Sequence, residues 1–192
     1  MRKIIIILTF SVLSLFGSDN VKAYIGFGGG ILNESLNHIS PIVKTQKKDD
    51  SSAFASIKIG YGDIRAYAIE LSINYIQNRS DIFSTDDKDR FGADIMFVKA
   101  FNFTKFFYPF ARVGFGAGEM RIKQGTPIQR TKTAYSSYNL GGGVFYPLYS
   151  SFDIELSYEY RYMSYQSYTE NNTSYRPKSH LNQFYIGFNY RF

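Results

Sequence analysis

The sequence predicts an all-β chain closed into a single antiparallel eight-stranded transmembrane β-barrel, with the strands joined as an up-and-down meander. Three observations carry that expectation. Strand-length segments alternate apolar and polar side chains with period two, their connections alternate between short and long, and the composition is at once aromatic and polar. The 192 residues include 17 Tyr and 18 Phe but no Trp or Cys, and the mean hydropathy is -0.23. Such a chain is too polar for a bundle of membrane helices and too aromatic for a disordered one. A barrel wall with one lipid face and one polar face produces this mixture.

The N-terminus has the pattern of a secretory signal peptide: Arg2 and Lys3, an apolar run from Ile4 to Phe16, then Val21-Lys22-Ala23 with small residues where a signal peptidase reads. The apolar run is too short to span a bilayer as a helix. Residues 1–23 are therefore expected to be removed, leaving 24–192 as one outer-membrane barrel domain. Loss of Arg2, Lys3, Lys22 and Asp19 takes the chain from 22 basic and 16 acidic side chains to 19 and 15, a net charge of +4. That mild excess points to no nucleic-acid partner. The absence of Cys in an exported chain excludes a disulfide framework, a thiol nucleophile and a thiolate metal site.

Eight segments then have strand character, near 23–32, 53–62, 66–77, 90–103, 107–120, 133–146, 152–163 and 181–192. Each reaches the roughly 9 to 11 residues that a tilted membrane strand needs. Short turns fall at Gly62-Asp63-Ile64-Arg65, Thr104-Lys105-Phe106 and Pro147-Leu148-Tyr149-Ser150; long polar stretches fall at 33–52, 78–89, 121–132 and 164–180. Short periplasmic turns opposite longer outer loops are the asymmetry expected of these barrels.

The third segment places Tyr67, Ile69, Leu71, Ile73 and Tyr75 outward against Ala68, Glu70, Ser72 and Asn74. In the fourth, Phe91, Ala93, Ile95 and Phe97 face lipid, but Lys99 falls on the same side, which calls for a bulge or for snorkelling to the head groups. The fifth sets Val113, Phe115 and Ala117 outward and Arg112, Gly114, Gly116 and Gly118 inward. The seventh has the clearest alternation. Phe152, Ile154, Leu156, Tyr158, Tyr160 and Tyr162 face out and Asp153, Glu155, Ser157, Glu159 and Arg161 face in, so a slip of one residue would send three carboxylates into lipid. The last segment aligns Phe184, Ile186, Phe188, Tyr190 and Phe192 on one face.

The glycine clusters at 26–30, 114–118 and 141–143 lead into no helix and no Gly-Lys-Ser/Thr, so they read as room for bulky lumen neighbours and for strand bending rather than as phosphate loops. Counting depth from the short turns places Lys58 beside Glu70 and Arg112 level with Glu155, with Asp94, Glu159 and Arg161 higher. Charges of both signs in a lumen barely wide enough for its own side chains read as a paired interior network, since an unpaired buried charge is costly. The alternative is that they line a conduction path or hold a catalytic dyad.

At the outer rim, Arg121, Lys123, Arg130 and Lys132 have no acid between them and suit lipopolysaccharide phosphates, anionic host surfaces or plain solvation. Only two histidines exist, His38 and His180. A catalytic reading would need each to have an oriented partner and a nucleophile. The sequence offers only Ser179 beside His180, and Ser80 with Asp81 as distant candidates for His38. No catalytic, cofactor or metal site is expected.

With its signal peptide, alternating strands, the Gly-Phe-Gly-Ala-Gly fifth strand and the terminal Phe192, the chain resembles the small eight-stranded bacterial outer-membrane barrels: the OmpA transmembrane domain, opacity and porin-like proteins. The resemblance implies location in the outer membrane of a Gram-negative cell, contact with its lipid and lipopolysaccharide, and recognition of the Phe184-to-Phe192 aromatic face by the barrel-assembly machinery. It implies a non-enzymatic structural or adhesin-like role, in which four outer loops meet a host or surface ligand. The alternatives within the family are a small porin-like channel and, less commonly, a lipid-modifying rim enzyme.

Overall fold

The computed structural model describes residues 21–37, 49–77, 89–122, 131–170 and 173–192. Its elements are β1 (Lys22–Asn37), β2 (Asp49–Asp63), β3 (Tyr67–Ile76), β4 (Arg90–Ala100), β5 (Tyr108–Arg121), β6 (Lys132–Tyr149), β7 (Phe152–Tyr165), a small hairpin of β8 (Tyr168–Glu170) and β9 (Thr173–Tyr175), and β10 (Lys178–Arg191). Strands β1 to β7 and β10 form one closed antiparallel barrel in meander order, with β10 pairing back onto β1 from Tyr24↔Arg191 to Asn37↔Lys178. Closure satisfies every strand edge in lipid.

The strands are longer than the membrane requires. β1 and β2 continue to Asn37 and from Asp49, into the stretch 33–52 read from sequence as loop, and the stretch 164–180 contains the β8–β9 hairpin and the start of β10. Their upper parts are polar, so hydrophobic patterning does not mark them; cross-strand hydrogen bonding does. β6 likewise runs past the expected turn at Pro147 to Tyr149, through a register shift between Pro147 and Tyr149. A proline has no N–H for the ladder, and a bulge accommodates it. At the β2–β3 turn, Gly62 has φ +150°, and a Cβ there would lie 2.3 Å from the Tyr67 carbonyl oxygen. Only glycine fits.

The stagger of the barrel follows from the register. Stepping straight across from Tyr24 through Gly60, Glu70, Met96, Gly114, Asn139, Arg161 and Leu181 returns to β1 at Glu34, ten residues above the start (34 − 24). With eight strands and ordinary strand spacings this is a tilt of about 40°. Every residue on that path faces inward. The opposite parity faces out, and along β3, β4 and β5 it presents Ile69, Leu71, Ile73, Phe91, Ile95, Val113 and Phe115, all exposed. The apolar exterior is bounded below by Tyr61, Tyr67, Tyr146, Phe152 and Tyr190 and above by polar positions such as Asn33, Ser51, Gln77, Asp89 and Ser136. By residue count this band is about 25 Å tall, the height of a lipid-facing barrel wall.

Lys99, the outward cation of β4, has no bulge beside it, because the ladder is regular from Tyr67↔Lys99 to Lys99↔Ala111. It sits at the lower edge of the band with its Nζ 3.7 Å from the centre of the Tyr67 ring. A head-group-level position and an aromatic face together accommodate the charge.

Candidate functional site

The lumen is filled in three layers. The lowest is apolar, made of Tyr24, Ile64, Ala68, Val98, Ala100, Tyr108, Phe110 and Phe145, with Phe110 stacked on Phe145 at 4.3 Å between ring centres. The uppermost is also mainly apolar and includes Leu32, Phe54, Ile76, Met120, Tyr135, Met163, Tyr165, Leu181 and Tyr185. A belt of charge lies between them. Inward glycines make the layers possible by leaving room for large neighbours: a Cβ on Gly60 would lie 2.0 Å from Tyr24 Cζ, and one on Gly187 would lie 2.3 Å from the Tyr185 hydroxyl.

In the belt, Lys58, Glu70, Asp94, Arg112, Glu155, Glu159 and Arg161 are all buried and join into one continuous chain of ion pairs. Lys58 Nζ lies 2.7 Å from Glu70 Oε1 and also donates to Glu155. Arg112 pairs with Glu155 at 2.8 Å and, through Nε, with Glu159 at 3.1 Å. Arg161 pairs with Glu159 at 3.0 Å and with Asp94 at 2.6 Å. Neutral groups complete the shell. The Tyr24 hydroxyl donates to Glu70, Asn74 Nδ2 to Asp94 and Arg112 Nη2 to Ser157. Desolvating so many charges is tolerable only because each has several partners. A cavity of about 30 Å³ is bordered by Ser56, Ser72, Asn74, Asp94 and Arg161, enough for roughly two waters.

Two further pairs were not anticipated from sequence. Arg90 and Glu34, both fully buried, meet side-on in the upper layer, with Arg90 Nη1 2.9 Å from Glu34 Oε1 and 3.0 Å from the Tyr165 hydroxyl. Arg191 forms a bidentate pair with Asp153 near the lower mouth, at 2.7 and 2.9 Å. The available signal was parity. Extending the inward alternation of β1 past Leu32 reaches Glu34, and extending that of β4 downward in number from Gly92 reaches Arg90.

The family model for the outer membrane protein β-barrel domain matches residues 5–192. The chain belongs to that family. Among solved structures, Neisserial surface protein A aligns with a TM-score of 0.61 at 13% identity, over 91% of this chain and 100% of that one. Ail, the attachment invasion locus protein of Yersinia pestis solved with the heparin analogue sucrose octasulfate, aligns with a TM-score of 0.52 at 14% identity, over 89% and 99%. AlkL in lipid bilayers aligns with a TM-score of 0.52 at 14% identity, over 92% of both. These likenesses concern the fold. No curated protein sequence matches the chain.

As an outer-membrane barrel the protein exposes its apolar outward-facing wall to lipid, and its short-turn rim faces the periplasm. Phe184, Ile186, Phe188, Tyr190 and Phe192 stand exposed on the lipid face of the closing strand. Phe188 lies 5.8 Å from Phe27, and Tyr190 lies 4.9 Å from Phe152. At the outer rim, Arg121 and Lys132 are exposed, whereas Lys123 and Arg130 lie outside the described residues. Lys132 is not a lone cation: its Nζ is 2.7 Å from Glu119, an acid just below the expected basic stretch. The Ser179 and His180 grouping separates, because Ser179 is fully buried in the lumen while His180 faces outward against Tyr160 and Tyr162. Consecutive strand residues point to opposite faces. His38, Ser80 and Asp81 lie outside the described residues.

Proposed function

We propose that this outer-membrane protein is a non-enzymatic surface protein with a closed lumen, whose four outer loops meet host or surface ligands. The observation that supports this reading is the stacking of two apolar layers above and below a fully paired charge belt. A solute would have to displace Phe110 and Phe145, break the belt and then pass Leu32, Leu181 and Met163. In planar bilayers the refolded protein is expected to give no large steady ohmic openings. Such openings at neutral pH would replace this reading with that of a small porin-like channel.

Three further roles complete the proposal. Residues 1–23 serve as the export signal, and mass spectrometry of protein taken from outer membranes should give a mature chain beginning at Tyr24. Cleavage there removes the first two residues of β1, with their pairing to Gly62 and Tyr61 of β2 and the bond from Phe192 N–H to the Ala23 carbonyl, all at the periplasmic rim where water takes their place. The outward face of Phe184, Ile186, Phe188, Tyr190 and Phe192 is the segment read by the barrel-assembly machinery. Deleting Phe192 should lower insertion in cells while leaving folding into synthetic vesicles nearly unchanged. His38 and His180 are not catalytic, so the double alanine variant should leave the lipid A of expressing cells unaltered by mass spectrometry.

A further inference from the structure

The lipid-facing wall is not uniform around its circumference. On β10 the outward residues rise from Phe188, Ile186 and Phe184 to Asn182, His180 and Lys178, and on the neighbouring β7 from Leu156 to Tyr158, Tyr160, Tyr162 and Ser164. β1 contributes Asn33 opposite Asn182 and Ser35 opposite His180. Carrying the ten-residue stagger around the closed ladder places Asn182 level with Ala53 of β2 and Ala117 of β5, to within one residue's rise. Polar side chains on β10 therefore begin at a depth where those two strands are still apolar. A polar group facing acyl chains is costly unless it is satisfied.

Here the polar groups are held in place. The Tyr158 hydroxyl donates to Asn182 Oδ1 at 2.6 Å. The Tyr160 hydroxyl is hydrogen-bonded to His180 Nδ1, and the Tyr162 ring centre is 5.2 Å from that of His180. Lys178 stands exposed one outward position above. The charge of the rim is also uneven. Among the described outward side chains near the rim, the carboxylates are Asp89, just before β4, and Glu119 on β5: Asp89 accepts a hydrogen bond from Tyr75, and Glu119 pairs with Lys132. The described outward side chains of β7, β10 and β1 include no acid. Asp49 lies on β2, the strand next to β1, opposite Ser35 in the ladder.

We infer that the outer wall formed by β7, β10 and β1 is a docking site for the phosphorylated, amide-acylated disaccharide head of lipopolysaccharide. The order of chemistry up the wall matches the order of groups along that lipid. Phe184, Ile186 and Leu156 meet acyl chains. Asn182 and the tyrosine hydroxyls stand at the depth of the amide and ester linkages. His180 and the rings of Tyr160 and Tyr162 face the sugars, and Lys178 meets a phosphate. The basic residues on β5 and β6, Arg121 and Lys132, are the poorer candidates because acids stand beside them. This inference deepens the lipopolysaccharide contact expected of an outer-membrane barrel and rests on its orientation in that membrane. It does not depend on whether the lumen conducts.

The test uses the full mature protein refolded in detergent, with variants that all point away from the lumen, so folding is checked first by heat-modifiable gel mobility. Binding of diphosphoryl lipid A is measured by native mass spectrometry and by the rise in unfolding temperature. The Lys178→Ala/His180→Leu variant and, separately, Asn182→Leu are expected to weaken binding at least about tenfold, while Arg121→Ala/Lys132→Ala stays within about twofold. Lipid A stripped of both phosphates should bind the parent protein as weakly as diphosphoryl lipid A binds Lys178→Ala/His180→Leu. Equal losses in the two sets of variants would overturn the assignment, as would equal affinity for phosphatidylglycerol, which carries charge and acyl chains without the disaccharide. A conducting lumen in planar bilayers would overturn the closed-lumen reading and leave this one intact.

Discussion

The lumen holds its buried charge in two contrasting settings. In the belt, Glu155 receives Lys58, Arg112 and Asn189, Lys58 keeps a second carboxylate in Glu70, and Arg112 keeps one in Glu159. A few residues higher, Arg90 and Glu34 face each other within a layer of Leu32, Ile76, Met120, Met163 and Leu181. The belt also borders a cavity able to hold water, and neither Arg90 nor Glu34 lines that cavity. The contrast teaches that the energetic weight of a buried charge depends on what remains when its partner is taken away. A charge in the belt re-pairs with a second described partner, whereas one set among Leu, Ile and Met side chains loses its bidentate carboxylate in a less polar setting.

The largest effect should therefore come from the upper pair. Glu34→Leu removes the carboxylate that meets the Arg90 guanidinium side-on within the apolar layer, and is expected to cost about 3–5 kcal/mol, measured by urea titration in lipid vesicles. Adding Arg90→Leu to it should recover most of that loss, since an apolar pair of similar volume replaces both charges. If the double variant stays as unstable as the single one, the pair is needed for more than charge balance and the contrast with the belt fails. In the belt, Glu155→Gln should cost less, about 2 kcal/mol, because Lys58 retains Glu70 and Arg112 retains Glu159. A loss as large as that of Glu34→Leu would show that the belt has no redundancy.

The difference between these two settings also marks how far the sequence could be read. Period-two alternation revealed the strands, their inward and outward faces, and the parity of all seven belt residues, because lipid on one side and a filled lumen on the other impose strict alternation. The Arg90 and Glu34 pair was missed because it lies above the apolar band, where both faces of β1 turn polar and the strand no longer looks like one. The stagger was also unreadable. It depends on hydrogen-bond register summed around eight strands, and it decides which charges share a level. The acid beside Lys132 was visible as Glu119, but only the antiparallel pairing of β5 with β6 brings the two together.

Between the apolar layers and the belt, the fit depends on small residues opposite large ones. Gly60→Val puts its first side-chain atom into the Tyr24 ring, whose hydroxyl also serves Glu70. Overpacking of this kind is expected to cost about 1–3 kcal/mol, and combining it with Tyr24→Ala should give back part of that loss. Additive losses in the double-mutant cycle would mean that Gly60 is required for strand geometry and not for space.

The smallest effect is expected on the outer wall, where the same kind of charge meets a different solvent. Lys99 lies over Tyr67 at the lower edge of the band and reaches the head-group layer, so its charge is not desolvated as that of the fully buried Arg90 is. Lys99→Leu removes a cation–π contact valued at about 0.5–1 kcal/mol at an exposed site and gains apolar area against lipid, and the two changes nearly cancel. The expected shift in urea-unfolding stability is therefore below about 1 kcal/mol. A larger loss would show that Lys99 anchors the depth of the barrel in the bilayer; the position of the wall would then depend on a specific cation as well as on its apolar height.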